Sequence, residues 1–90
     1  MQKNKEELFE VVAVKDELTN TFLQPTFGDS EEALKRIFRT QINTIPIWKE
    51  NASDYSLYRL AWFDQETGEL YPDIEKLASG HAVLNRKETE

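Results

Sequence analysis

Apolar and polar positions change their spacing several times along this chain, and each change marks an element. Leu8 to Val14 is a dense apolar run containing Val11, Val12 and Val14 and bounded by charged residues, the pattern of a central strand covered on both sides. Lys15 to Asn20 is polar, with Asn20 a turn residue, and Thr21, Phe22 and Leu23 open a second strand. Pro25 lacks the N–H that a ladder needs, so this strand lies at an edge or ends there, and Gly28 releases the chain into the next element.

The spacing then becomes helical. Ala33, Leu34, Ile37, Phe38 and Ile42 form one stripe, and Lys35, Arg36 and Arg39 lie on the opposite side. Asp29 or Ser30 caps this helix, and Glu31 and Glu32 favour its positive end. Asn43 and the Ile45-Pro46 pair end it, because a residue before proline is pushed out of helical geometry. Residues 43 to 54 read as a loop holding Trp48, Lys49 and Asn51.

Strand spacing returns at Tyr55. Tyr55, Leu57, Arg59, Ala61 and Phe63 fall on one face and Ser56, Tyr58, Leu60 and Trp62 on the other, both largely apolar or aromatic. Asp64-Gln65-Glu66-Thr67-Gly68 then suits a type I turn in which Gly68 takes the left-handed conformation, so the chain reverses before Glu69. Pro72 and Asp73 introduce one or two helical turns, with Asp73 as cap and Gly80 as stop, and His81 to Leu84 a short last strand. Residues 1–6 and 85–90 read as flexible tails of a single domain.

The order strand, strand, helix, strand, strand predicts an α+β fold: a small antiparallel or mixed sheet of three to five strands with one main helix on one face. One helix covers one face, yet the first and third strands are apolar on both. A homodimer is the economical answer, with Val12, Val14, Tyr58, Leu60 and Trp62 as the expected interface.

Composition sharpens this picture. Ninety residues make one modest core, and without cysteine it must hold by packing alone, with no sign of an oxidising compartment. The opening MQKNKEE lacks a signal peptide's apolar run, and no segment approaches the roughly 20 apolar residues that cross a bilayer, so a soluble intracellular protein without a membrane partner is expected. The net charge of −6 is unevenly spread: residues 1–34 sum to −5, residues 35–59 to +3 and residues 60–90 to −4. An acidic chain is repelled from nucleic acid at long range, so contact there must rest on the basic island between Lys35 and Arg59. The bland alternative is that these charges solvate a helix face.

Candidate chemistry is sparse. His81 is the sole histidine and has no cysteine partner, the carboxylates fall at turns, caps and termini, and the three glycines do not cluster into a phosphate-cradling loop. No enzyme, metal or cofactor is expected. Stacking of bases on rings beside cations is the binding alternative, with Trp48–Lys49 and Tyr58–Arg59 as neighbours, although adjacent strand residues such as Tyr58 and Arg59 point to opposite faces.

The stretch ASDYSLYRLAWFDQETGEL, together with FLQPTFGDSEEALKRIF and EKLASGHAVL, resembles the small nonstructural protein of gokushoviruses, bacteriophages of the Microviridae with single-stranded DNA genomes. The likeness covers most of residues 8 to 84 and lies in the order of its motifs: a short strand ending at Val14-Lys15-Asp16, a helix with Ala and Arg, a Tyr-Ser-Leu strand and a Phe-Asp-x-x-Thr-Gly turn. Pro25-Thr26-Phe27 departs from the family's doubled aromatic, and Leu77 to Ala82 carries a shift in the closing motif.

The resemblance implies a phage accessory protein in the cytoplasm of a bacterial host, acting in replication or packaging of single-stranded DNA. In one version Lys35, Arg36, Arg39, Lys49 and Arg59 contact phosphates and Trp48 offers a stacking surface. In the other the chain is an adaptor that binds the replication initiator, a host factor or the capsid without touching DNA. Grouping of the five cations on one surface favours the first; dispersal favours the second.

Overall fold

The computed structural model describes residues 7–28 and 30–85. Asp29 and most of the expected tails therefore lie outside the described residues. Asn85 is the exception, and it is held: its N–H donates to Asn43 Oδ1 at 2.7 Å.

The fold is α+β. Strands β1 (Phe9–Asp16), β2 (Thr21–Phe22), β3 (Thr26–Gly28), β4 (Tyr55–Phe63) and β5 (Leu70–Ser79) form one sheet, with helices α1 (Glu31–Thr44), α2 (Pro46–Glu50) and α3 (Gly80–Val83) and a 3₁₀ turn at Ala52–Asp54. The sheet order is β2-β1-β4-β5, with β3 also on β1, and every pairing is antiparallel.

Pro25 explains the doubled edge. Leu23 N–H still donates to Val14 O, but Pro25 has no proton to give, so the chain leaves β1 and rejoins it at Thr26, opposite Val12. The third strand arises because Thr26-Phe27-Gly28 resumes a ladder that proline only interrupts. Turn chemistry is as the residues dictate: Asn20 sits at φ 60° and Gly68 at φ 80°, and Gly68 N–H donates to Asp64 O across the β4–β5 hairpin.

Helix α1 is capped by Ser30, whose hydroxyl accepts from the Ala33 N–H at 3.2 Å. Its stripe buries Leu34, Phe38 and Ile42 against Val12, Val14, Tyr55 and Leu57. Ile37 lies outside this cluster and is 54% exposed.

Four local expectations are corrected. Residues 43 to 54 are not a plain loop: Pro46 starts α2 at a position where its missing N–H costs nothing. Pro72 to Ser79 is strand, not helix, because it pairs with β4 and brings Glu75 opposite Arg59. Gly80 begins α3 rather than ending a helix, and His81 to Val83 are helical, capped by Ser79 Oγ on the Ala82 N–H. Finally, Leu60 is an extra residue in β4. Val11 pairs with Ala61 while its neighbour Val12 pairs with Arg59. This bulge swaps the faces, so Trp62 joins Arg59 on the helix side and Ala61 and Phe63 join Tyr58 on the other.

Candidate functional site

Arg59 lies on the helix side of the sheet with its side chain only 8% exposed. Its Nη1 donates to Glu10 Oε2 at 3.1 Å, and its Nη2 pairs with Glu75 and, at 3.3 Å, with Asp73. Nε donates to the Asp73 carbonyl, and Glu31 at the start of α1 reaches within 3.9 Å. The guanidinium is thus the cation that four carboxylates share. Burial pushes the Glu10 carboxyl above its ordinary value, the Arg59 hydrogen bond opposing and the nearby Glu31 charge reinforcing this. A hydrogen bond from Lys35 holds Glu31 low.

This placement removes Arg59 from any phosphate-binding surface. A guanidinium already saturated by carboxylates and buried has neither free donors nor local positive potential to offer. Trp48 is also inward: it stacks on Tyr55 with centroids 5.0 Å apart and packs against the core. There it borders a groove of about 290 Å³ between α1 and the β2–β3 edge, which Leu23, Phe27 and Ile37 also line.

Of the remaining cations, Lys49 stands apart from the three on α1. Lys35 is paired with Glu31 at 2.9 Å, one helical turn away. Lys49 is exposed on α2 and has no ion pair among the described residues. Arg36 and Arg39 are brought together: they border a shallow basin with Lys35, Glu32 and Val83, and a second with Thr40, Asn43, Thr44 and Asn85. Arg39 Nη2 donates to Asn85 Oδ1 at 3.3 Å, whereas Arg36 has no ion pair among the described residues.

The expected interface residues also divide. Val12 and Val14 are covered by α1 of the same chain, and Trp62 is on that side too, donating from Nε1 to Asp73 Oδ2 at 2.8 Å. A helix that already fills the space above Val12 and Val14 leaves them no partner surface to present. Leu60 occupies the bulge. Only Tyr58 lies clearly on the uncovered face, where Lys15 stands 5.4 Å from the centres of both its ring and that of Phe22.

That uncovered face carries a ring cluster that spacing alone does not reveal. Phe27 stacks on Phe9 at 5.8 Å and meets Phe63 at 6.0 Å, although the three come from three different strands. Glu10 was equally invisible as a functional group, although a lone glutamate inside the apolar run Leu8 to Val14 was the signal that a buried partner existed.

The fold defines a small α+β domain with a helix-backed antiparallel sheet and a buried ionic cluster around Arg59. The family model described as Phage ORF5 protein matches residues 9–83, most of the chain, and the chain belongs to that family. It is thus a phage protein. No curated protein and no solved structure matches it. No helix among the described residues is long and apolar enough to cross a membrane.

Proposed function

We propose that this chain is a phage accessory protein acting in replication or packaging of a single-stranded DNA genome, of the kind its gokushovirus resemblance implies. The observation that carries a DNA contact is the pair Arg36 and Arg39 on the outer face of α1, beside Thr40, Asn43 and Asn85. Arginine forks and neighbouring hydroxyl and amide groups are what a phosphate backbone requires. With Arg59 and Trp48 withdrawn, the contact is small and electrostatic, weak at physiological salt and without sequence preference.

The adaptor reading has its own support. The withdrawal of Arg59 into carboxylates, the placing of Lys49 on α2 apart from Lys35, Arg36 and Arg39, and the net charge of −6 favour a protein partner over DNA. Both readings are tested by titrating a labelled single-stranded oligonucleotide at low and physiological salt, with the wild type and with Arg36→Ala/Arg39→Ala. Binding that falls with salt and is lost in the double variant supports the DNA contact. Absence of binding even at low salt overturns it and leaves the adaptor.

A further inference from the structure

Among the described residues no element packs over the side of the sheet opposite α1, and its residues follow from the register. Phe9, Val11, Phe27 and Phe63 fill one end, and β5 adds Leu70 and Ile74. Phe27 is 59% exposed, Leu70 59% and Ile74 67%. Apolar side chains this large, spread over four strands and joined at one end by the ring contacts of Phe9, Phe27 and Phe63, are a surface that water disfavours.

We infer that a second copy of this chain covers this face, sheet against sheet, giving a helix-sheet-sheet-helix dimer. The size fits. Three strands of eight to ten residues, with the β2–β3 edge as a fourth line beside them, at about 3.3 Å per residue and about 4.8 Å between neighbours give a footprint of roughly 600 Å² before side-chain relief. A stable complex uses about 800 Å² per partner.

Charge sets the orientation. Lys15 and Lys76 lie at the Ser56 end of the face, and the acidic hairpin with Glu66 and Glu69 lies beyond Phe63 and Leu70 at the other. A two-fold axis running across the strands, in the plane of the interface, places each lysine end over the partner's hairpin. An axis along the strands would stack like charges and is disfavoured. The same distribution argues against nucleic acid on this face. Glu17 stands within 4.0 Å of both lysines, and with Glu66 and Glu69 it makes the acidic groups of this face outnumber the basic ones, so the face repels a phosphate backbone even though Phe9, Phe27 and Phe63 supply rings.

Sedimentation of the full chain from about 1 to 100 μM tests the proposal. The expected result is a species of twice the 10.5 kDa chain mass, converted to monomer by Phe27→Lys/Ile74→Lys, whose circular dichroism stays that of the wild type. Ile74 is exposed and its substitution costs the fold little; Phe27→Lys gives up the ring contacts with Phe9 and Phe63, so the unchanged spectrum is the control that the double variant is folded. Lys76→Glu should weaken association, and adding Glu69→Lys should restore it. A wild-type monomer at 100 μM overturns the proposal, as does a dimer that survives both lysine substitutions. A monomer whose oligonucleotide binding is lost in Phe27→Lys/Ile74→Lys would assign the face to nucleic acid instead.

Discussion

The guanidinium carbon of Arg59 stands 4.9 Å from the centre of the Trp62 ring, on the same side of the sheet, three residues along one strand. The Leu60 bulge makes this possible, and Asp73 ties the pair by receiving the Trp62 indole N–H and an Arg59 ion pair. Arg59 therefore links β1, β4, β5 and the start of α1 through one cation. Its role in the structure is to hold the strands together at the end of the sheet where α1 begins.

Removing that cation is costly because Glu10 is 3% exposed and would be left as a buried, unpaired carboxylate. Arg59→Ala should lower stability by about 3 kcal/mol, the lower end of the range for breaking a buried pair, since Asp73 and Glu75 are more exposed and can turn to water. Arg59→Lys keeps the charge but cannot reach four carboxylates and should recover only part of the loss. Urea denaturation of both variants checks this; equal stability of Arg59→Ala and wild type would show the cluster to be dispensable.

The same glutamate gives a pH signature. The folded state raises the Glu10 carboxyl from 4.5, chiefly by burial, so the native chain binds its proton more tightly than the unfolded one. Its contribution to stability is fully present below about pH 4.5 and is lost as pH rises through the raised folded value. Glu31 works in the other direction: lowered by Lys35, it adds stability above its unfolded value that disappears on acidification. Glu10→Gln removes the first contribution and keeps the main part of the second, which comes from Lys35. Its stability relative to wild type should therefore improve as pH rises from about 4.5, measured as urea midpoints at several pH values; a constant difference would disprove the shift.

Glycine substitutions separate two kinds of constraint. A Cβ on Gly80 would meet the Ala52 carbonyl oxygen at 2.2 Å and Ile42 Cδ1 at 2.9 Å, so Gly80→Ala forces α3 away from the core. Overpacking of this kind costs about 1–3 kcal/mol, or roughly 5–20 °C in Tm for a domain of this size. Gly68 faces open space, and only its φ of 80° opposes a side chain. Gly68→Ala should cost about 1–2 kcal/mol and Gly68→Asn less, since asparagine tolerates that region. Thermal unfolding of the three variants ranks them.

What was legible in the residues was what local chemistry determines. The stripe Leu34, Phe38, Ile42, the strand Tyr55 to Phe63 and the turns at Asn20 and Gly68 all follow from period and backbone preference. Asp73 to Ser79 misled because DIEKLAS has helical composition, and its strand state is imposed by pairing with β4 and by the demand of Arg59 for Asp73 and Glu75. The site failed for a related reason. Whether Arg59 meets a phosphate or a buried glutamate depends on a register 49 residues away in sequence, and one bulged residue was enough to exchange Trp62 for Phe63 on the open face. Only the faces of α1, where Arg36 and Arg39 stay together, survive such uncertainty, because helical period alone places them.

Trp48 tests how far a ring's sequence context can stand for its role. It follows Ile47 and precedes Lys49 in an exposed helix, the setting of a stacking platform, yet it lies near-parallel to Tyr55 with an interplanar angle of 21° and closes one end of the core. Trp48→Ala should therefore cost about 2 kcal/mol of stability, less than the roughly 3–5 kcal/mol of a fully buried aromatic because the ring is only partly buried. Any affinity for single-stranded DNA should be unchanged at a temperature where the variant is folded. Arg36→Ala/Arg39→Ala should do the reverse, leaving stability within about 0.5 kcal/mol and making the slope of log affinity against log salt shallower by about 0.7 for each phosphate no longer neutralised. Loss of DNA affinity in a stable Trp48→Ala variant would move the binding site to the groove between α1 and the β2–β3 edge.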